Sequence, residues 1–189
     1  MDQNIYDMIE ANPVIAAVKD EAALERCCEM REIRVVFILF GDTCSIPGIV
    51  HRLKKAGKIV FVHTDLVAGL ASKDVAADFV HQNTEADGLI STKPGIIRRA
   101  RELGLATVLR IFLLDSMAVE NLPNQMANAK PDMLELLPGI IPRVIHRVKN
   151  IVRTPVIAGG LISTKEDVME ALDAGAISVS ATSQKVWVM

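Results

Sequence analysis

Short apolar runs recur at regular intervals along the chain, and each is followed by a turn and then by a stretch with helical periodicity. The runs are rich in Val, Ile, Leu and Phe, and few alternate strictly between apolar and polar residues, as expected of strands buried on both faces. Eight strands are predicted, over Val14–Val18, Val35–Phe40, Ile59–His63, Gly88–Ser91, Ala106–Leu114, Met133–Leu137, Val156–Ala158 and Ile177–Ala181. Parallel strands that alternate with helices in this way predict an α/β fold, a compact (β/α)8 barrel of the TIM type.

The chain is short for such a barrel. Its 189 residues, half of them apolar, suffice for one core but would make two marginal ones, so a single domain over 1–189 is predicted. A barrel of this type typically has about 250 residues, so a peripheral helix must be missing. Because the chain ends directly after the eighth strand, the eighth helix is predicted to be absent or reduced to residues 183–187. A helix over 4–11 would cover part of the barrel, and an apolar gap left at the C-terminus would favour a homodimer.

Residues typical of helix ends lie between the predicted strands. Four residues are predicted to begin helices: Asp20, Ser72, Pro94 and Ser163. Ser163 also has the spacing of a capping box with Glu166. Three glycines are predicted to end helices in a left-handed conformation: Gly57, Gly104 and Gly175.

Composition argues against export, membrane insertion and general nucleic-acid affinity. The N-terminus lacks a basic start with an apolar segment, and no apolar run approaches the roughly 20 residues that span a bilayer. Three cysteines without metal-ligand spacing, at 27, 28 and 44, indicate neither a disulfide framework nor a zinc site. A soluble cytoplasmic protein is expected. With a net charge of −2, binding to nucleic acid would require a local basic patch.

The segment PVIAGG, residues 155–160, is the strongest candidate for a binding site. In a (β/α)8 barrel the loops after strands 7 and 8 form a phosphate site. Gly159 and Gly160 would let the backbone approach an anion, and the helix start at Ser163 would add its dipole. Thr182 and Ser183, after the next strand, would supply hydroxyl and N–H groups. The alternative is that the glycine pair only forms a tight turn.

Polar side chains follow several other predicted strands, where the mouth of a barrel forms. Lys19 or Lys93 would add positive charge to the phosphate site. His63 and Asp65 would point to the same face if their strand continued through both, as a general base or a ligand clamp. The alternative is a histidine fixed by a local hydrogen bond, with Asp65 capping the turn. No further histidine or carboxylate completes a metal site, so no metal or other cofactor is predicted.

Two charged residues lie inside neighbouring apolar strands. Arg110 stands in TVLRIFLLD and Glu135 in PDMLELLPG. Buried charges must be paired, so an ion pair between these side chains is predicted. The pair is either purely structural, or one partner also touches a ligand.

Basic residues cluster on three predicted helices. In PGIIPRVIHRVKN, the side chains of Arg143, His146 and Arg147 share the polar face of an amphipathic helix and are the candidates for RNA contact. Two further clusters contain Arg52, Lys54, Lys55 and Lys58, and Arg98, Arg99 and Arg101. The alternative is that these charges only solvate the outer face of the barrel, since aromatic stacking platforms are lacking.

Seven sequence blocks, in order, resemble the glycerol uptake operon antiterminator regulatory proteins. They are VHTDLVAG, DGLISTKPGII, RIFLLDS, KPDMLELLPGIIP, PVIAGGLIST, EALDAGAISVSATS and the terminal VW. The resemblance implies a (β/α)8 barrel that senses glycerol 3-phosphate and, when loaded, binds the leader mRNA of glycerol-utilisation genes to prevent premature transcription termination. It also implies a regulator that is not an enzyme.

The matching blocks carry the candidate ligand contacts. The AGG and ATS blocks imply Gly159, Gly160, Thr182 and Ser183 as phosphate-binding. The HTDL, GLISTK and LELLPG blocks contain His63, Asp65, Lys93 and Glu135, which are the candidates for holding the glycerol moiety.

Two other functions fit the same residues. One is a phosphate-binding barrel enzyme, an isomerase, epimerase or synthase acting on a small phosphorylated metabolite, with His63, Asp65 or Glu135 in acid and base roles. The other is a metabolite-binding barrel without an RNA partner, in line with the acidic pI of about 6.1.

Overall fold

A computed structural model describes residues 3–188, in which eight parallel strands close into a barrel in chain order. The strands are β1 (Val14–Val18), β2 (Val35–Ile38), β3 (Ile59–His63), β4 (Gly88–Ser91), β5 (Ala106–Phe112), β6 (Met133–Leu137), β7 (Val156–Gly159) and β8 (Ser178–Ala181). Strand β8 pairs with β1 and completes the ring. The predicted fold is confirmed, and the predicted strand ends differ from those of the structure by at most two residues.

Helices surround the barrel and alternate with its strands. They are α1 (Gln3–Glu10), α2 (Glu21–Glu29), α3 (Ile46–Lys55), α4 (Val75–Asn83), α5 (Pro94–Glu102), α6 (Ser116–Ala129), α7 (Pro142–Lys149) and α8 (Lys165–Asp173), with short 3-10 helices at Thr64–Leu66 and Val186–Val188. In the described chain β8 is followed only by the second 3-10 helix, so the predicted reduction of the eighth helix is confirmed. No helix among the described residues is long and apolar enough to cross a membrane.

The C-terminal 3-10 helix fills the place of the missing helix. Val186 is fully buried, Trp187 is 2% exposed, and the indole Nε1 of Trp187 donates a 2.8 Å hydrogen bond to the carbonyl oxygen of Ala181. The expectation of an exposed apolar gap here was wrong, because one large aromatic side chain covers the barrel wall. That removes the argument for a homodimer through this surface.

The amino-terminal end of the barrel is closed and apolar. Inward side chains such as Ile15, Val108 and Ile157 are fully buried, and the rings of Phe37 and Phe61 meet edge to face at 5.5 Å between centroids. Ile9 of α1 packs into the same cluster, so α1 covers this end of the barrel. The polar inward side chains that follow lie towards the carboxyl ends of the strands, where a ligand can enter.

Most of the predicted helix ends are correct, and two starts are not. The Asp20 carboxylate caps α2 through the N–H of Ala23, α5 begins at Pro94, and the three helix-ending glycines have positive φ. Ser72 does not cap α4, which begins at Val75 after Asp74. The capping box of α8 is formed by Thr164 and Asp167, one residue later than the predicted pair of Ser163 and Glu166.

Candidate ligand site at the barrel mouth

A cavity of about 580 Å³ opens at the carboxyl ends of the strands. It is lined by Ala17, Lys19, Leu39, Arg110, Glu135, Leu137, Gly160, Leu161, Ile162, Ser163, Ser180, Ala181, Thr182 and Ser183. These residues come from β1, β2, β5 and β6 and from the ends of β7 and β8. The lining therefore brings together five of the predicted site residues, Lys19, Glu135, Gly160, Thr182 and Ser183.

The floor of the cavity is a buried polar network. The guanidinium of Arg110 donates to the carboxylate of Glu135, with Nε–Oε2 at 2.5 Å and Nη2–Oε1 at 3.2 Å. The Ser180 hydroxyl donates to Oε1 of Glu135, also at 2.5 Å. Glu135 is fully buried and Arg110 is 7% exposed. The predicted ion pair is confirmed, and a buried charge held by three hydrogen bonds is fixed in position.

Gly159 lies beside this network and is itself buried. A Cβ at this position would stand 2.6 Å from Oγ of Ser180 and 2.7 Å from Oε1 of Glu135. Real Cβ atoms do not approach polar atoms so closely, so only glycine leaves room for the carboxylate. The two glycines therefore differ in position, since Gly160 lines the cavity and Gly159 does not.

The rim beyond β7 has an unusual backbone. Gly160 and Leu161 both adopt left-handed conformations, with φ of 77° and 64°, and Leu161 is 71% exposed. A non-glycine residue in this region costs about 1–3 kcal/mol, and such strain collects at binding sites. In the described part of the chain, the N–H groups of Gly160 and Leu161 donate no hydrogen bond. Turns of this kind form anion-binding concavities.

The loop after β8 completes the rim. Thr182 and Ser183 line the cavity next to the β7–α8 loop, and Lys19 reaches it from the end of β1. The start of α8 contributes less than expected, because Oδ2 of Asp167 already accepts from the N–H groups of Ser163 and Thr164, at 2.8 and 2.9 Å. These hydrogen bonds also lower the pKa of Asp167.

His63 and Asp65 do not line the cavity. Strand β3 ends at His63, as predicted, and Asp65 lies in the 3-10 helix that follows, so the two side chains do not share a strand face. His63 is 2% exposed, and its Nδ1 has no hydrogen-bond partner within the described residues. Burial, aided by the positive charge of Arg110, lowers the pKa of His63 to about 3.

Asp65 holds the β4–α5 loop. Its carboxylate accepts from the Ser91 hydroxyl at 2.8 Å and from the N–H and hydroxyl of Thr92 at 2.7 and 2.8 Å, and Nζ of Lys93 lies 3.4 Å away. Burial alone would raise the pKa of Asp65, but the hydrogen bonds from Thr92 and Ser91 outweigh burial and lower it. Lys93 is thus engaged by Asp65, outside the cavity lining.

Comparison with known proteins gives the chain a family. The family model described as "Glycerol-3-phosphate responsive antiterminator" matches residues 14–187. The chain belongs to the glycerol-3-phosphate responsive antiterminator family. The protein YgcP of Escherichia coli (strain K12) is 41% identical over 185 residues, which cover 98% of this chain and 96% of YgcP.

Two crystal structures of similar proteins share the architecture. The glycerol uptake operon antiterminator regulatory protein from Listeria monocytogenes is 32% identical, with a TM-score of 0.89 over 93% of this chain and 94% of the other. A glycerol uptake operon antiterminator-related protein from Thermotoga maritima is 35% identical, with a TM-score of 0.83 over 94% and 99%. Barrel enzymes such as deoxyribose phosphate aldolase from Aeropyrum pernix, at 17% identity and a TM-score of 0.71 over 95% and 89%, share the fold alone.

Nine residues of the cavity lining in this antiterminator-family barrel were not among the predicted ligand contacts, and they include Arg110, Ser180 and Leu161. Arg110 was predicted as the ion-pair partner of Glu135, with ligand contact by one of the two as an alternative, and Ser180 and Leu161 were not singled out. Ser180 had a detectable signal, because it is a polar residue near the carboxyl end of the predicted eighth strand, two residues before Thr182. Leu161 had none, because a positive φ at a leucine has no local sequence signal.

The predicted RNA contacts lie on α7 and do not line the cavity. Arg143, His146 and Arg147 are exposed there. Arg143 and His146 line a groove together with Glu170 and Asp173 of α8. The described residues contain no cluster of His, Cys, Asp and Glu able to hold a metal ion.

Proposed function

We propose that the protein is a cytoplasmic glycerol-3-phosphate sensor that binds leader mRNA of glycerol-utilisation genes when loaded, without turning its ligand over. Membership of the glycerol-3-phosphate responsive antiterminator family supports this. The observation that carries the proposal is the division of the cavity into a rim suited to phosphate and a floor suited to hydroxyl groups.

The rim is the phosphate end. The N–H groups of Gly160 and Leu161 and the hydroxyls of Thr182 and Ser183 face an anion, and Lys19 supplies positive charge. Backbone N–H groups and a flexible lysine bind a phosphate monoester without reacting with it. Gly159 acts indirectly, by making room for the floor beneath.

The floor is the glycerol end. Glu135 accepts and Arg110 donates hydrogen bonds, and Ser180 does both, so this trio suits the two hydroxyls of glycerol 3-phosphate. The cavity lining does not include His63, Asp65 or Lys93. We assign them to shaping the wall and the β4–α5 loop instead of direct contact with glycerol.

The same arrangement supports sensing over catalysis. A general base must reach the proton that it removes and must be free to change its protonation state. Glu135 is locked to Arg110 and Ser180, and His63 is buried outside the cavity lining with its pKa lowered to about 3. Neither is placed as the acid–base group that an isomerase or epimerase needs.

Calorimetric titration tests the ligand half of the proposal. Glycerol 3-phosphate should bind, whereas glycerol or inorganic phosphate alone should bind far more weakly, because each occupies only one end of the cavity. Lys19→Met should weaken glycerol 3-phosphate binding about tenfold, since one charge-assisted contact contributes about 1.5–3 kcal/mol. Lys165→Met, which removes an exposed lysine from the start of α8, is the matched control.

Titration with a glycerol-operon leader RNA tests the regulatory half. RNA should bind more tightly with saturating glycerol 3-phosphate than without it. Equal RNA affinity in both conditions would contradict the regulatory role, and turnover of a triose or pentose phosphate would point to the enzyme alternative.

A further inference from the structure

We propose that RNA binds across the surface formed by α5 and α6, through Arg98, Arg101, Asn128 and Lys130, and not through α7. This rests on the proposed function and adds the face of the molecule on which the RNA lies. We refer to these four residues as the α5–α6 surface. They line one groove of about 440 Å³ together with Glu102, Ala127 and Ala129.

Cations on the α5–α6 surface are free of carboxylate partners. In the described chain Arg98 has no hydrogen-bond or ion-pair partner, and Arg101 donates only to the carbonyl oxygen of Lys130, at 3.0 Å. The carboxylate in the groove, Glu102, is already paired with Arg99 at 3.1 Å. Arg99 also pairs with Asp78, at 2.7 Å. The groove therefore presents three exposed positive side chains and one carboxylate.

Neighbouring side chains on α6 suit RNA as well. The exposed side of α6 carries Asn121, Asn124 and Asn128 and a single carboxylate, Glu120. Amide side chains both donate to phosphate and sugar oxygens and accept from base and 2′-hydroxyl donors. A surface of arginines, lysine and amides with little negative charge matches the chemistry of a polyphosphate strand.

The other two basic clusters fit less well. On α3, Arg52 pairs with Glu21 and Lys54 with Asp87, and Lys58 is buried against backbone carbonyls. On α7, Arg143 and His146 share a groove with two carboxylates of α8, Glu170 and Asp173. A phosphate strand in this groove would approach both carboxylates, which weakens its binding.

Two double variants that each remove two arginines test the assignment. Arg98→Ala with Arg101→Ala should weaken leader RNA binding in saturating glycerol 3-phosphate about tenfold at about 0.15 M salt, because each lost phosphate contact to a single strand removes roughly 0.7 of a released counterion. The slope of log affinity against log salt should become shallower by about 1.4. Arg143→Ala with Arg147→Ala is the matched control and should stay within about twofold of the wild type.

Arg98→Ala alone separates RNA contact from structural damage. Arg101 also binds a carbonyl at the end of α6, so its loss affects that helix end, whereas Arg98 has no partner to lose. The single variant should weaken RNA binding about fourfold, with unchanged glycerol 3-phosphate affinity and melting temperature. If wild type binds RNA but both α5 variants stay within about twofold of it, or the α7 pair loses as much, the surface assignment is wrong. If wild type binds no RNA, the proposed function itself fails.

Discussion

Gly159 is the residue whose role differs most from what its sequence context indicates. Paired glycines before a helix are typical of a phosphate cradle, yet only Gly160 reaches the cavity. A Cβ atom at Gly159 would collide with the Glu135 carboxylate and the Ser180 hydroxyl. Gly160 therefore lines the ligand cavity, whereas Gly159 leaves room for the ion pair at the cavity floor.

Replacing Gly159 by alanine should therefore destabilise the fold. The added methyl must displace Ser180 or Glu135, and overpacking of a tight interior costs about 1–3 kcal/mol. Gly48→Ala is the control, because a Cβ at Gly48 in α3 meets nothing within 4 Å. That change should stabilise by about 0.5–1 kcal/mol, as expected for alanine in a helix. Urea unfolding measures both, and equal free energies of unfolding for Gly159→Ala and wild type would refute the steric argument.

His63 makes the stability of the protein depend on pH. Its folded-state pKa is about 3, whereas an imidazole in the unfolded chain titrates near 6.5, at about the reference value. Between these values the unfolded chain binds a proton that the folded chain does not. The free energy of unfolding should then fall as the pH decreases through this window, by up to about 1.4 kcal/mol per pH unit.

A variant that lacks the His63 imidazole isolates that contribution. His63→Gln should flatten the pH dependence of the free energy of unfolding between about pH 4.5 and 6.5, the range in which the imidazole of the unfolded chain gains its proton. Asp65 does not interfere, because its lowered pKa places its titration beneath this range. His81→Gln, which changes an exposed histidine on α4, is the matched control. Parallel curves for wild type and His63→Gln would show that His63 titrates normally.

At the scale of elements, the strands and their order were predictable and the loops were not. Apolar runs identify β1 to β8, because strands that are buried on both faces need apolar side chains on both. The ion-pair partner of Arg110 was predictable because an unpaired buried charge is costly. The conformation after β3 did not follow, since the segment FVHTDL is equally compatible with a strand that continues beyond His63. Asp65 turns away there because Thr92 and Ser91, distant in sequence, supply its hydrogen bonds. Contacts between loops that are distant in sequence leave no local pattern in the amino-acid sequence.

The loop before α5 depends on that carboxylate. Asp65→Asn replaces an acceptor oxygen by an NH2 group facing existing donors, which should destabilise by about 1–3 kcal/mol. Amide exchange at Thr92 should accelerate because its N–H loses a charged acceptor. Asp167→Asn is the matched control, since it loosens the start of α8 and exposes the N–H groups of Ser163 and Thr164 instead. Unchanged protection of Thr92 in Asp65→Asn would mean that the loop is held by other contacts.

Over the whole molecule, the two ends of the barrel differ in role: one end stabilises the fold and the other forms the proposed binding site. One end is closed by α1 over an apolar interior, and the other gathers the buried ion pair, the strained β7–α8 loop and the cavity. Helix α5 joins the two functions that we propose, because it starts at the loop held by Asp65 and carries Arg98 and Arg101 on its outer face. A ligand-dependent change at the mouth can reach the RNA surface through this single helix.

Coupling between two sites on one barrel must be reciprocal. If glycerol 3-phosphate tightens RNA binding by some factor, RNA must tighten glycerol 3-phosphate binding by the same factor, which we expect to be about 5–150-fold. Calorimetry with and without saturating leader RNA measures one side of the cycle, and RNA titration with and without glycerol 3-phosphate measures the other. Asp65→Asn should reduce both factors together, whereas Arg98→Ala should weaken RNA binding in both ligand states and leave the factor intact. A factor of one in both titrations would mean that RNA and glycerol 3-phosphate bind this barrel without coupling.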